Sequence, residues 1–136
     1  MQPVSQDEFT LRDGLEGLTP SRIATLYRRA PLLRHTDSAK NLEQAYERSQ
    51  LVLSVWRGEH LVGVARVLTD GVQASYLCDL AVEPDVQGSG IGRLLIDEVM
   101  ERCKGTELVL RDSNLSSGFY KHLGFTQVDN GWVREA

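Results

Sequence analysis

The sequence has 136 residues, of which 41% are hydrophobic and 25% charged, and its formal net charge is −4. This length and composition predict a single ordinary globular domain that spans residues 1–136. An acidic chain lacks the basic surface that general nucleic-acid binding requires, so we expect no nucleic-acid partner.

The elements predicted in the first half of the chain are short. Thr19 and Pro20 are typical of a helix start, with a capping hydroxyl followed by proline at the first helical position. Asp37 and Ser38 can cap a second helix, and the polar segment 57–60 predicts a hairpin between two apolar strands. The predicted elements are a strand at 9–13, helices at 20–30 and 39–49, and strands at 51–56 and 61–68.

The second half begins with a third hairpin-linked strand and continues with a strand-helix-strand unit, which favours parallel pairing. The predicted elements are a strand at 72–82, a helix from the glycines near 90 to Gly105, a strand at 107–111, a helix at 113–122, and short strands at 125–128 and 132–134. We therefore predict an α/β protein of the α+β type, in which helices flank a mixed and mostly antiparallel sheet.

The N-terminal residues show no basic region followed by an apolar run, and no apolar run reaches the length of a membrane span. We therefore expect a cytoplasmic location and no membrane partner. The two cysteines, Cys78 and Cys103, match no zinc or redox spacing. We expect both to be reduced and at least partly buried, and we expect no metal site.

A glycine-rich turn between the strand at 72–82 and the following helix is the most informative stretch. Glycines allow close approach of the backbone to a ligand, and a helix N-terminus favours anions such as phosphate. A P-loop is excluded because no lysine follows the glycines. A dinucleotide-binding turn is disfavoured because Arg93 stands where its third glycine is required.

The pattern Gln87-x-x-Gly90-x-Gly92 resembles the acetyl-CoA-binding motif of the GNAT N-acetyltransferase superfamily. The run from Phe119 to Phe125, with Tyr120 and Gly124 inside it, resembles a second signature of that superfamily. The two motifs occur in the family's order, and the element order of the whole chain agrees with its fold. The resemblance implies a GNAT fold with six to seven strands and about four helices.

The resemblance also implies that the chain binds acetyl-CoA as acyl donor. The strand before the turn would diverge from its neighbour and offer its backbone to pantetheine, while the turn would hold the diphosphate. Family members often contact the donor through an Asn seven residues before the tyrosine; Ser113 stands at that position here and Asn114 one later, so both are candidates. The expected donor-binding residues are Leu80, Ala81, Val82, Gln87, Gly88, Ser89, Gly90, Ile91, Gly92, Arg93, Ser113 and Asn114.

Transfer in this family is direct, so the leaving thiolate needs a proton and the attacking amine must be neutral. A phenol is protonated at neutral pH, and we expect Tyr120 to act as the general acid. Asp79 interrupts an apolar strand, which is costly unless the carboxylate is bonded or functional. We consider it a candidate catalytic residue that positions substrate or water; the alternative is a structural acceptor. Glu83 is a second candidate.

The acceptor site is expected near the first two helices, where Arg28, Arg29 and Arg34 form the most basic stretch of the chain. These arginines either attract an acidic substrate or form a solvated helix end. We expect an enzyme that acetylates a primary amine of a small molecule. The alternatives are a protein lysine or N-terminal acetyltransferase, and a non-catalytic acyl-CoA-binding module. Either a monomer or a homodimer is compatible with the sequence.

Overall fold

Five strands form one mixed sheet in the computed structural model, which describes residues 8–32, 34, 36–112 and 118–136. The strand order is β1-β2-β3-β4-β5; the first three neighbouring pairs are antiparallel and β4 and β5 are parallel. The elements are β1 (Thr10–Asp13), α1 (Pro20–Arg29), α2 (Ala39–Glu47), β2 (Leu51–Arg57), β3 (His60–Thr69), β4 (Ala74–Val82), α3 (Ile91–Arg102), β5 (Glu107–Leu110) and α4 (Phe119–His122).

The two predicted caps define the starts of α1 and α2. The Thr19 hydroxyl accepts from the backbone N–H of Arg22 at 3.2 Å, and Pro20 occupies the first turn. The Ser38 hydroxyl accepts from the backbone N–H of Asn41 at 3.1 Å. Each cap satisfies an N–H group that the helix itself leaves without a partner.

Helices cover both faces of the sheet, and each face has its own buried cluster. On one face, α1 and α2 pack through Ile23, Tyr27 and Tyr46 against β2 and β3. On the other, α3 packs against the same strands. Gly63 in β3 lets α3 sit close, because a Cβ there would meet Ile91 at 3.1 Å and Leu95 at 3.2 Å. Both faces are therefore buried, as the long apolar runs of β2 and β3 require.

The prediction of two C-terminal strands is wrong, and the sheet has five strands rather than six or seven. Residues 125–128 and 132–134 adopt no regular structure. Val128, Trp132 and Val133 are largely exposed, with Trp132 at 96%, so these apolar side chains find no sheet face to cover. The turn at 129–131 can reverse the chain but cannot supply the burial that stabilises a strand pair.

The helix predicted at 113–122 is described only as α4, whose N-cap is Gly118 with φ of +68°. Residues 113–117, and with them the predicted cap Ser113, lie outside the described residues. Cys78 and Cys103 are free and buried, as expected. Among the described residues, no helix is long and apolar enough to cross a membrane.

Candidate active site

The parallel pair β4–β5 separates half-way along β4. Their pairing ends at Leu77 opposite Leu110, whereas β4 continues to Val82. The register of β4 against β3 shifts at the same point, where Cys78 is an extra residue between two consecutive pairs. Such a bulge increases the local twist and bends the strand. Over the described residues, the last five positions of β4 therefore have no β5 partner, and we call them the open edge (residues 78–82).

The glycine-rich turn follows directly on the open edge. A short 3-10 turn at Pro84–Val86 leads through Gly88, with φ of +90°, to Gly90, with φ of +84°, and α3 begins at Ile91. These φ values are in the left-handed region that glycine adopts without strain. No side chain caps the N-terminus of α3. Its first N–H groups, from Ile91 to Arg93, are therefore available to an anion at the positive end of the helix dipole.

Tyr120 is held beside this helix N-terminus by two aromatic contacts. Its ring packs edge-to-face on Phe119, with 5.0 Å between centroids, and on Phe125, at 5.6 Å. Phe119 in turn touches α3, because a Cβ on Gly92 would lie 3.0 Å from its Cζ. Burial, assisted by the negative charge of Asp112, raises the pKa of Tyr120 to about 12. The phenol therefore carries its proton throughout the neutral range.

Asp79, on the open edge, faces α1 and α2 and is 2% exposed. Its carboxylate accepts hydrogen bonds from the Tyr27 hydroxyl at 2.8 Å and from Nε of Arg66 at 2.7 Å, and it also accepts from Nε of Arg34. Arg34 additionally donates to the carbonyl of Cys78, the bulged residue. The side chains around Asp79 thus tie the first two helices and their connection to the bulge.

Two tyrosines joined through their hydroxyls complete this buried network. The hydroxyls of Tyr27 and Tyr46 share a hydrogen bond, and that of Tyr27 donates onward to Asp79. Burial is the main cause that raises the pKa of both phenols far above the ordinary range. Burial tends to lower the pKa of the Arg66 guanidinium. The charge of the Asp79 carboxylate and its hydrogen bond have the larger combined effect, so the pKa of Arg66 is raised. The tyrosines are therefore neutral, and the charges in the network belong to Asp79 and the two arginines.

Glu83 lies just past the open edge and is buried on the same side as Asp79. It accepts from Nε of Arg29 at 2.7 Å and lies 3.3 Å from Nε2 of His60. Arg29 also reaches Asp85 at 3.5 Å. The two buried acids of this segment are thus both engaged by arginines from α1 or from the connection after it.

Comparison with known proteins assigns this arrangement to a family. The sequence model of the acetyltransferase (GNAT) domain matches residues 28–135. The chain belongs to the GNAT family. The fold resemblance extends over nearly the whole chain: a protein of known structure from Deinococcus radiodurans R1 superposes with a TM-score of 0.79 at 20% identity, over 98% of this chain and 93% of that one.

Two plant relatives align over most of this GNAT chain. The Arabidopsis thaliana protein named "GCN5-related N-acetyltransferase 1, chloroplastic" is 29% identical over 128 residues, which is 90% of this chain and 64% of that protein. The rice protein named "Serotonin N-acetyltransferase 2, chloroplastic" is 28% identical over 127 residues, covering 86% and 61%. The alignments cover between 29% and 64% of the length of these and other curated relatives.

The structure brings most of the predicted GNAT site residues together. Those of the open edge, the glycine turn and the start of α3 form one continuous path: Leu80, Ala81, Val82, Gln87, Gly88, Ser89, Gly90, Ile91, Gly92 and Arg93. Within it, the Gln87 side chain donates to the carbonyl of Val82 at 3.1 Å. Arg93 is exposed and lies 3.8 Å from Asp97 on the next turn. Ser113 and Asn114 lie outside the described residues.

Sequence reasoning missed the partners of Asp79. Arg66 could have been found, because it is the one charged residue in the apolar run 61–68 and pairs across the sheet with Asp79. Tyr27 could not have been found, because nothing in its spacing indicates a buried hydrogen bond to a residue 52 positions away. Among the described residues, no group of three or more His, Cys, Asp or Glu side chains could hold a metal ion.

Proposed function

We propose that this GNAT protein is an N-acetyltransferase that moves the acetyl group of acetyl-CoA directly to a primary amine of a small molecule. One observation carries the proposal: the glycine turn joins the open edge of β4 to the N-terminus of α3, which no side chain caps. This juxtaposition offers an anion site and a row of main-chain groups along one path, which suits a long ligand with a diphosphate at one end.

The donor is a substrate, and the residues present fit it. The N–H groups of the turn and of the first turn of α3 bind the diphosphate. The left-handed glycines keep Cβ atoms away from the phosphates. Backbone atoms of Leu80, Ala81 and Val82 pair with pantetheine as a further strand would. Ser113 and Asn114 remain candidates for a donor contact.

In the proposed reaction, the amine nitrogen attacks the thioester carbonyl of bound acetyl-CoA in a ternary complex. The C–S bond then breaks, the thiolate takes the phenolic proton of Tyr120, and the amine's proton passes to solvent water. Solvent then returns a proton to Tyr120. The phenol of Tyr120 keeps its proton at neutral pH, and in this mechanism the proton is transferred only as the thiolate forms.

We assign Asp79 a positioning role in this mechanism. Its carboxylate already accepts three hydrogen bonds, and each donor belongs to an element that shapes the cleft or the bulge. Asp79 therefore holds Tyr27 and Arg34 in place beside the open edge.

We prefer a small acceptor because the described residues of the first-helix region line a partly open cleft of about 630 Å³, which is within the range of small-molecule sites. The name of the rice relative specifies serotonin, which is itself a small primary amine. The cytoplasmic location and the choice between monomer and homodimer remain predictions, and both plant relatives are named as chloroplastic.

The test is a screen of small amines with acetyl-CoA that reads free CoA thiol. We expect release with at least one class of amine, and Tyr120→Phe should lower kcat by about 100-fold or more while leaving acetyl-CoA affinity nearly unchanged. Tyr76→Phe is the matched control, because Tyr76 is also a half-buried tyrosine but lies before the open edge. Undiminished turnover by Tyr120→Phe would remove the acid assignment. Tight acetyl-CoA binding without release for any amine would favour a protein acceptor or a non-catalytic module.

A further inference from the structure

A cleft at the C-terminal end of α1 carries an excess of positive charge in an otherwise acidic chain. Its volume is about 630 Å³, within the range of small-molecule sites. The described residues that line it are Tyr27, Arg28, Pro31, Leu32, Arg34, Thr36 and Glu135.

Two of these residues connect the cleft to the open edge. The Tyr27 hydroxyl and the Arg34 guanidinium both contact Asp79, and Arg34 also holds the carbonyl of the bulged Cys78. A molecule in the cleft is therefore separated from the open edge by a single layer of side chains. This places the cleft where an acceptor would approach a donor bound along β4.

Two arginines line the described part of the cleft, Arg28 and Arg34. Asp79, which bonds Arg34, also bonds Arg66. Arg28 is exposed, donates to the Thr25 hydroxyl at 3.3 Å, and forms no ion pair with any described residue. Glu135 is the one acidic side chain among the described lining residues. The local charge is thus positive even with Glu135 present.

We propose that the cleft selects acceptor amines that also carry an anionic group, with Arg28 as the main recognition residue. The planar guanidinium matches a carboxylate or a phosphate in a two-pronged hydrogen bond. Pro31 and Leu32, which are both at least partly exposed, supply apolar surface for a short carbon chain between the anionic group and the amine. This inference rests on the proposed acetyl transfer for the amine, but the recognition of the anion stands on the cleft alone.

Two pairs of probes test the inference, each matched in chain length. 4-Aminobutyrate is compared with 1-aminobutane for the carboxylate, and phosphoethanolamine with ethanolamine for the phosphate. Binding is measured by NMR titration of the protein, and turnover by release of CoA thiol. A charge-assisted hydrogen bond contributes about 1.5–3 kcal/mol, which corresponds to a preference of about tenfold or more for the anionic member of a pair.

The variant Arg28→Gln should abolish this preference by weakening the anionic probes about tenfold, with little change for the neutral probes or for acetyl-CoA. Arg48→Gln is the control, since Arg48 is an exposed arginine at the end of α2, outside the cleft. Glu135→Gln should strengthen binding of the anionic probes, because it removes the opposing charge.

Each outcome separates the inference from the proposed function. An Arg28-dependent preference for anionic probes in the binding arm, without thiol release, would support the cleft assignment and count against acetyl transfer to these amines. Thiol release with equal efficiency for neutral and anionic probes would overturn the inference and leave the acetyltransferase intact. A loss of acetyl-CoA affinity in Arg28→Gln would overturn it too, because Arg28 would then serve the donor. Absence of binding by all four probes would also overturn it.

Discussion

Replacing Asp79 with Asn should destabilise the protein more than any other single charge removal on this face. The substitution keeps the side-chain shape but removes the negative charge between Arg34 and Arg66. Breaking a buried ion pair by removing one partner costs about 3–5 kcal/mol. The Arg34 side chain is 40% exposed and can be rehydrated when Asp79 is lost, whereas the Arg66 side chain is only 15% exposed. Because only one of the two cations stays buried and unpaired, we expect a loss at the lower end of this range, about 3 kcal/mol.

The assay is urea unfolding followed by circular dichroism, together with a thermal melt. For a domain of this size, a loss of about 3 kcal/mol lowers Tm by about 10 °C. Asp85→Asn is the control, because the Asp85 side chain is 79% exposed and lies 3.5 Å from its arginine partner. Its effect should be much smaller, since exposed ion pairs are screened by solvent. If Asp79→Asn unfolds at the same urea concentration as the Asp85 variant, the reasoning about the buried network is refuted.

Two further predictions concern the surroundings of α4. Gly92→Ala places a Cβ 3.0 Å from Cζ of Phe119 and should lower the free energy of unfolding by about 1 kcal/mol, measured by urea titration; wild-type stability would contradict this contact. Because the charge of Asp112 helps to raise the pKa of Tyr120, Asp112→Asn should lower that pKa from about 12. Ultraviolet titration against Tyr120→Phe measures it, and an unchanged pKa would count against this interaction.

The sequence was sufficient for the elements whose signals are local. The capping residues Thr19 and Ser38 mark the starts of α1 and α2, and the alternation of apolar runs with polar turns locates the hairpins β2–β3 and β3–β4. The C-terminal strands could not be judged in this way. Residues near Trp132 have strand-like composition, but a strand also needs a partner edge and a face to cover, and neither property is local.

The glycine turn and the start of α3 were predicted more completely than the surroundings of Asp79. Turn chemistry and helix geometry are local, so the glycines and the start of α3 could be placed from their spacing alone. The environment of Asp79 depends on residues 45 and 52 positions away in sequence, Arg34 and Tyr27, whose contacts arise only when α1 packs on the sheet. The bulge at Cys78 could not be predicted from the sequence either, because it is a register shift between two paired strands.

Calorimetric titration with acetyl-CoA tests the central claim most directly. The wild-type protein should bind one acetyl-CoA per chain, and Gly90→Ala should bind it much more weakly, because its Cβ and the strained left-handed backbone disturb the anion site. Gly105→Ala is the control, because Gly105 lies just beyond the opposite end of α3 and also has a left-handed φ, of +90°. No atom lies within 4 Å of the new Cβ, so this variant should bind acetyl-CoA as the wild type does. Absence of binding to the wild type, or equal affinity in the Gly90 and Gly105 variants, would contradict the assignment of the glycine turn as the donor site.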